Sequence, residues 1–109
     1  MVDAKDGDGE TSLGRAAENG HSEVVQLLLT AHAEVDSKDN YGRTPLAWAA
    51  EYGHSEVVQL LLNAHAEIDV QDYAGKTPIT RATEGDHSKV RELLEQEAVR
   101  RLTVEARRS

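Results

Sequence analysis

Residues 39–62 read DNYGRTPLAWAAEYGHSEVVQLLL, and each part of this stretch has a local structural preference. The Asp-Asn-Tyr-Gly segment predicts a turn, because Asn and Gly accept left-handed backbone and Asp hydrogen-bonds to its own backbone. Thr44 and Pro45 suit the N-cap and the first position of a short helix that stops at Gly53. A second helix follows with the Val and Leu run as its apolar face, and we expect Ser55 to cap it.

The same pattern occurs three times along the chain at a spacing of 33 residues. Two short helices cannot bury their apolar faces alone, so neighbouring units are expected to stack and share one core. The run His-Ser-Glu-Val-Val-Gln-Leu-Leu-Leu is identical at residues 21–29 and 54–62. The aligned columns include Thr11, Thr44 and Thr77; Gly9, Gly42 and Gly75; His21, His54 and His87; and Val24, Val57 and Val90.

This repeated pattern resembles the ankyrin repeat over roughly residues 3–96. The resemblance implies an all-α solenoid of stacked helix-turn-helix units with finger-like β-turn or hairpin loops. The expected organisation is a single domain over residues 1–109, with repeats at about 3–35, 36–68 and 69–96. Proteins of this family bind other proteins through the fingertips and through the concave face of the first helices.

The sequence departs from the family pattern at two columns. The His that usually follows Thr-Pro-Leu is replaced by Gly14, Ala47 and Thr80, so some stability should be lost there. The Gly that usually follows the second helix is replaced by His32 and His65. A left-handed non-Gly residue costs roughly 1 kcal/mol. Either that cost is accepted at both positions or the loop has another shape.

The end units have features of caps. Arg15 and Arg81 stand in the column of Trp48, and the last helix is predicted to extend over about residues 88–106 because no Gly terminates it. Terminal repeats need a polar outer face, which we expect at both ends. Residues 97–109 contain four arginines and two glutamates and so carry a charge of +2. Because the whole chain carries −8, residues 1–96 carry −10.

Composition excludes several function classes. The chain has 109 residues, 39% hydrophobic and 29% charged, with a formal charge of −8 and no cysteine. It should therefore fold, and it lacks the basic balance of a nucleic-acid binder. No apolar run is long enough for a membrane span, and the N-terminus does not resemble a signal peptide. We expect an intracellular protein, cytoplasmic or nuclear and not secreted, that binds neither nucleic acid nor membrane.

No residue pattern predicts catalysis, a cofactor or a metal. The triplet His-Ser-Glu occurs twice, but side chains of adjacent residues at a helix start diverge, whereas a catalytic triad needs them to converge. His32 with Glu34, or His65 with Glu67, supplies two ligands, and two ligands do not close a metal site. The glycines are spaced for turns and follow no phosphate-loop pattern. The sequence therefore predicts that the protein is not an enzyme.

The aromatic residues predict where a protein partner binds. On a helical wheel Trp48, Glu51 and Tyr52 face away from the second helix, whereas Tyr41 and Tyr73 fall in the turns. Trp, Tyr and Arg are enriched at interface hot spots. The predicted partner-binding residues are Lys38, Asn40, Tyr41, Arg43, Trp48, Glu51, Tyr52, Tyr73 and Lys76.

Two alternatives remain at this point. Trp48 is either part of that binding surface or a framework residue that fills the groove between the first helices of adjacent units. The chain is either a protein-interaction module or an engineered or isolated repeat scaffold, suited to folding or self-assembly and without a natural partner. Near-identical repeats are compatible with both functions. In either case we expect a monomer or weak self-association.

Overall fold

The computed structural model describes residues 2–108, which form helices joined by turns without any strand. The prediction of an all-α fold is confirmed. The six helices are α1 (Ser12–Asn19), α2 (Ser22–Thr30), α3 (Pro45–Glu51), α4 (Ser55–Asn63), α5 (Pro78–Glu84) and α6 (Ser88–Arg108).

The helices form three pairs that stack in two layers. Within each pair the helices pack on each other, as α1 does on α2, α3 on α4 and α5 on α6. Between pairs, α3 lies between α1 and α5, and α4 lies between α2 and α6. Apolar side chains from both layers meet in one continuous core, in which Leu13, Leu46 and Leu61 are fully buried.

The first helix of each pair begins as the sequence predicts, whereas the second does not. The hydroxyl of Thr44 accepts a hydrogen bond of 3.2 Å from the Ala47 N–H, and Thr11 and Thr77 cap α1 and α5 in the same way. The prediction that Ser55 caps α4 is wrong. Ser55 is the first helical residue, and the N-cap is His54, which makes no side-chain capping bond.

The histidine column instead joins one helix pair to the next. His54 Nε2 donates to the Glu18 carbonyl oxygen at 3.0 Å, and His87 makes the equivalent bond to Glu51 at 2.9 Å. The His54 ring lies so close to Gly20, where φ is 72°, that a Cβ there would be 2.6 Å from its Nδ1. Glycine is therefore required for the backbone conformation and for the close contact between pairs.

Among residues 2–108, three residues other than glycine have left-handed backbone. His32 and His65, which follow α2 and α4, have φ of 66° and 67°, so the conformational cost is accepted and the loop keeps its shape. The third, Asp86 with φ of 60°, was not predicted. It occupies the column of Gly20 and Gly53, because the third pair carries its glycine one residue earlier.

The two ends of the stack differ. In α4, Val57 is 1% exposed, whereas Val24, at the same place in the identical run of α2, is 45% exposed and Leu27 is 70% exposed. The expectation of a polar outer face is therefore wrong for the first pair, because α2 keeps the apolar residues that α4 buries. At the other end α6 turns Arg91, Glu92 and Glu95 to solvent. Within residues 2–108, no helix combines the length and the apolar character that a membrane span needs.

Candidate functional site

A row of ring and guanidinium groups lies along the second helix pair. The Arg43 guanidinium carbon is 4.4 Å from the centroid of the Trp48 ring. On the same indole, Tyr52 stacks at a centroid distance of 6.0 Å and an interplanar angle of 11°. Tyr52 in turn lies 6.3 Å from the His54 ring. Three of the predicted partner-binding residues, Arg43, Trp48 and Tyr52, are thus in direct contact.

Trp48 is anchored at the base of this row. Its Nε1–H donates to Asp39 Oδ2 at 2.7 Å, while Asp39 Oδ1 accepts from the N–H groups of Tyr41 and Arg43 at 2.8 and 3.0 Å. Asp39 is 6% exposed, and Trp48 is half-buried. The only polar group of the indole is therefore used inside the protein, which favours a framework role for much of this side chain.

All three helix pairs have this anchoring hydrogen bond, but the donor is arginine in the first and third pairs and tryptophan in the second. Arg15 Nε donates to Asp6 at 2.9 Å, and Arg81 Nε donates to Asp72 at 3.0 Å. In each pair the turn aspartate accepts from the side chain nine residues later. Sequence reasoning missed these aspartates as site residues. The signal that could have found them is this spacing of nine between an Asp and a donor, repeated in every unit.

An ion network joins the second and third helix pairs beside the aromatic row. Glu51 Oε1 lies 3.1 Å from Arg43 Nη1 and 3.4 Å from Arg81 Nη1, and Asp72 Oδ2 lies 2.6 Å from Arg81 Nη2. Burial alone would raise the pKa of Asp72, but hydrogen bonds from the Lys76 N–H and the Arg81 guanidinium hold it below its usual value. Arg43 and Glu51 are therefore held in place by the structure.

The other five predicted residues lie at the turns. The three tyrosines are the most accessible aromatic groups, with Tyr41 59%, Tyr52 48% and Tyr73 76% exposed. The Tyr73 N–H donates to the Tyr41 carbonyl at 3.1 Å, and its ring covers Gly42. Lys38 and Asn40 are exposed, and Asn40 donates to the Gly7 carbonyl at 3.3 Å. Lys76 Nζ pairs with Glu84 at 2.8 Å.

The exposed tyrosines offer contact area, and the ion network offers charge between the second and third helix pairs. Tyrosine side chains give large, rigid contacts with few rotatable bonds to immobilise. The ion network fixes the positions of the charges around them. Within residues 2–108, no group of three or more His, Asp or Glu side chains is arranged to hold a metal ion.

Two comparisons bear on what kind of protein this is. A family model described as ankyrin repeats, in three copies, matches residues 1–72 of the 109. The match covers the first two helix pairs and the turn that leads into the third. Comparison with curated proteins gave no match.

Proposed function

Because the chain belongs to the ankyrin-repeat family, we propose that it binds a protein partner through the face of α1, α3 and α5 and through the adjoining turns. Repeats of this family generally serve as protein-interaction modules. The specificity of such a module depends on a few side chains carried by a common frame. The finer assignment therefore rests on which side chains of this chain are available for contact.

The exposure of the tyrosines carries the proposal. The chain has four aromatic residues and no phenylalanine, and the hydrophobic core is built from Leu, Val and Ala instead. The three tyrosines are all exposed. Tyr41 and Tyr73 lie in the turns that precede α3 and α5, and Tyr52 directly follows α3. Aromatic groups kept out of a core and collected on one surface are typical of the centre of a protein interface.

The contacts support two different roles for the predicted residues. Trp48 and Arg43 support the surface, because the indole N–H is bound to Asp39 and the guanidinium lies against the ring and Glu51. Tyr52 stands on this support and presents its exposed side to a partner. Partial burial and the neighbouring Glu51 carboxylate raise the pKa of Tyr52 above its ordinary value of 10, which already keeps the phenol a neutral hydrogen-bond donor at physiological pH.

The test compares three variants in affinity capture from a cell extract, with crosslinking before the wash. The first is the triple variant Tyr41→Ala, Tyr52→Ala, Tyr73→Ala. The second is Gln59→Ala, an exposed change on α4 away from the tyrosines. The third is Trp48→Ala. Circular dichroism of each variant establishes that it is folded.

We expect the same proteins to be captured by the unaltered chain and by Gln59→Ala, and to be lost with the triple variant. Trp48→Ala should lower the melting temperature and weaken capture only by as much as it unfolds the protein. Equal capture by the folded triple variant would contradict the assignment of the binding surface to the tyrosines. The surface would then have to be sought on the outer face of α4 or at the ends of the stack.

A further inference from the structure

The two ends of the stack carry surfaces of opposite charge, and both surfaces are separate from the tyrosines proposed above to bind a partner. We propose that the C-terminal part of α6, residues 97–108, docks on the outer face of α1 and α2 of a second copy of this chain, head to tail. We call these two surfaces the α6 extension and the N-terminal face. The proposal is independent of the proposed function, because neither surface contains any of the tyrosines.

The N-terminal face has the character of a helix-packing surface without a partner. The run at residues 21–29 is identical to that at 54–62, where α2 covers Val57 and leaves it 1% exposed. On α2, which no earlier helix covers within residues 2–108, Val24 is 45% and Leu27 70% exposed. The first helix pair therefore exposes on α2 the apolar positions that α4 uses to pack against α2.

Beside these apolar residues lies a groove lined by charged side chains. The groove has a volume of about 470 Å³ and is lined by the N-terminal segment, α1 and the start of α2, including Glu10, Arg15 and Val24. Arg15 is the centre of four contacts of 2.7–3.3 Å, to Asp6, Asp8, Glu10 and Glu18. One guanidinium therefore faces four carboxyl groups. Lys5 also lines the groove, so the excess of negative charge belongs to the first helix pair as a whole, where residues 2–30 contain six Asp and Glu against Lys5 and Arg15.

A buried oxygen in this groove lacks a partner. The side chain of Glu10 is 4% exposed. Its Oε1 is buried and makes no hydrogen bond to any atom of the residues that the structure describes. An unpartnered buried carboxylate oxygen is uncommon, because leaving it unpaired costs free energy. A basic group that approaches the groove would reduce that cost.

The α6 extension has the complementary chemistry. Val99 is 63% and Leu102 68% exposed, and together with Ala106 they follow the spacing of three and four that places residues on one helix face. Arg100 and Arg107, seven residues apart and both exposed, lie beside this apolar stripe. Arg100 pairs with Glu97 at 2.6 Å, and residues 97–108 together keep a net charge of +2. The extension thus combines an exposed apolar stripe with positive charge.

The extension also projects far enough to reach a neighbour. The helix continues past the point where α2 and α4 end, because Ala98 stands in the column of the left-handed His32 and His65. Residues 97–108 add about 18 Å at 1.5 Å per residue. From residue 102 to residue 107 every side chain is exposed.

Charge decides between the possible pairings of copies. Two N-terminal faces would bring acidic groups together, and two α6 extensions would bring arginines together, so both symmetric pairings meet like-charge repulsion. The head-to-tail contact joins apolar to apolar and basic to acidic groups. Because its two surfaces differ, each copy can contact two others, and the contact builds open chains or rings.

Sedimentation equilibrium tests this proposal with two blocking variants and one control. Leu27→Lys blocks the N-terminal face, and Leu102→Glu blocks the α6 extension. Both residues are exposed, so neither change should affect folding. The control is Thr83→Glu, which adds the same charge at an exposed residue of α5, outside both surfaces. Because the contact is small, the concentration series runs from about 10 µM to about 1 mM.

The average mass of the unaltered chain should rise past the dimer with concentration and fall with added salt. Each blocking variant alone should associate at least about tenfold more weakly, while Thr83→Glu behaves like the unaltered chain. An equimolar mixture of the two blocking variants should form a dimer and stop there, because only one functional N-terminal face and one functional extension remain.

Three results would overturn the proposal. The first is an unaltered chain that stays monomeric throughout the series. The second is either blocking variant alone associating as well as the unaltered chain, which indicates a symmetric pairing through the other surface. The third is a mixture that remains monomeric. Should either blocking variant lose helical signal, Val24→Lys or Val99→Glu replaces it on the same surface.

Discussion

Glu10 should make the protein less stable as the pH rises from about 4.5 to about 7. Burial of the carboxyl group, together with the nearby Glu18 and Asp39 carboxylates, raises the pKa of Glu10 to about 7, although Arg15 acts in the opposite direction. The side chain fits where it does because Gly14 has no Cβ. A Cβ there would lie 2.7 Å from Glu10 Cγ.

The sign and size of the effect follow from the difference between folded and unfolded chains. The unfolded carboxyl has its ordinary pKa of 4.5 and the folded one about 7, so between these values the folded protein binds the proton more tightly. The contribution of Glu10 to stability is therefore fully present below pH 4.5 and is lost as the pH rises to about 7. At 1.36 kcal/mol per pKa unit, the loss amounts to about 3 kcal/mol.

Urea denaturation at pH 5 and pH 8 measures this loss. The comparison includes Glu10→Gln, which cannot ionise, and the control Glu23→Gln, which changes an exposed carboxyl on α2. Glu10→Gln should leave stability nearly unchanged at pH 5 and raise it by up to about 3 kcal/mol at pH 8. The groups whose pKa is lowered, Asp6, Asp72 and Glu97, lose their contribution only below pH 4.5 and do not interfere.

The reasoning fails if Glu10→Gln and the unaltered chain lose the same free energy between pH 5 and pH 8. That result would mean that Glu10 is ionised and well solvated in the folded protein. An equal gain at pH 8 from Glu23→Gln would show instead that the effect comes from the overall charge of −8 and not from burial at one site.

The remaining predictions concern the core, the loops and the aromatic row. Leu61→Ala should cost about 2–5 kcal/mol in chemical denaturation, because the side chain is fully buried between neighbouring helix pairs. His65→Gly and Asp86→Gly should each stabilise the protein by up to about 1 kcal/mol in the same assay, since both residues have left-handed backbone. Trp48→Phe should lower stability by about 1–3 kcal/mol, because the buried Asp39 carboxylate loses its indole donor.

Most of the helical framework could be predicted because its signals are local. Thr44 and Pro45 identify the start of α3 within a few residues, and the spacing of 33 then transfers this assignment to α1 and α5. The start of α4 was harder to assign, since Ser55 has the chemistry of a cap but His54 occupies that position. His54 is there because its ring reaches the preceding pair, a contact 36 residues away along the chain.

The site was less predictable for the same physical reason. A helical wheel places Trp48, Glu51 and Tyr52 on one side of α3, but it contains no information on the neighbouring pair. Glu51 is held by Arg81, 30 residues further along, and that contact forms only when α3 and α5 pack together. The exposed outer face of α2 was missed in the same way, because α2 and α4 have identical sequences there and differ only in what covers them.

The anchoring position explains why Trp48 replaces arginine in the middle pair alone. The donor at position 15, 48 or 81 lies next to the side chain of the residue that precedes the N-cap threonine, at position 10, 43 or 76. In the first pair that neighbour is Glu10, 3.2 Å from Arg15, and in the third pair it is Lys76, whose Nζ pairs with Glu84 at 2.8 Å. In the middle pair the neighbour is Arg43.

A second arginine at position 48 would meet Arg43 as a like charge. An indole keeps the N–H that Asp39 requires and replaces that repulsion with the contact of 4.4 Å between the Arg43 guanidinium and the ring. Trp48 is thus the residue that satisfies both neighbours at once. The same ring also stacks on Tyr52. The tryptophan that anchors the turn therefore also positions the tyrosine that we propose contacts the partner.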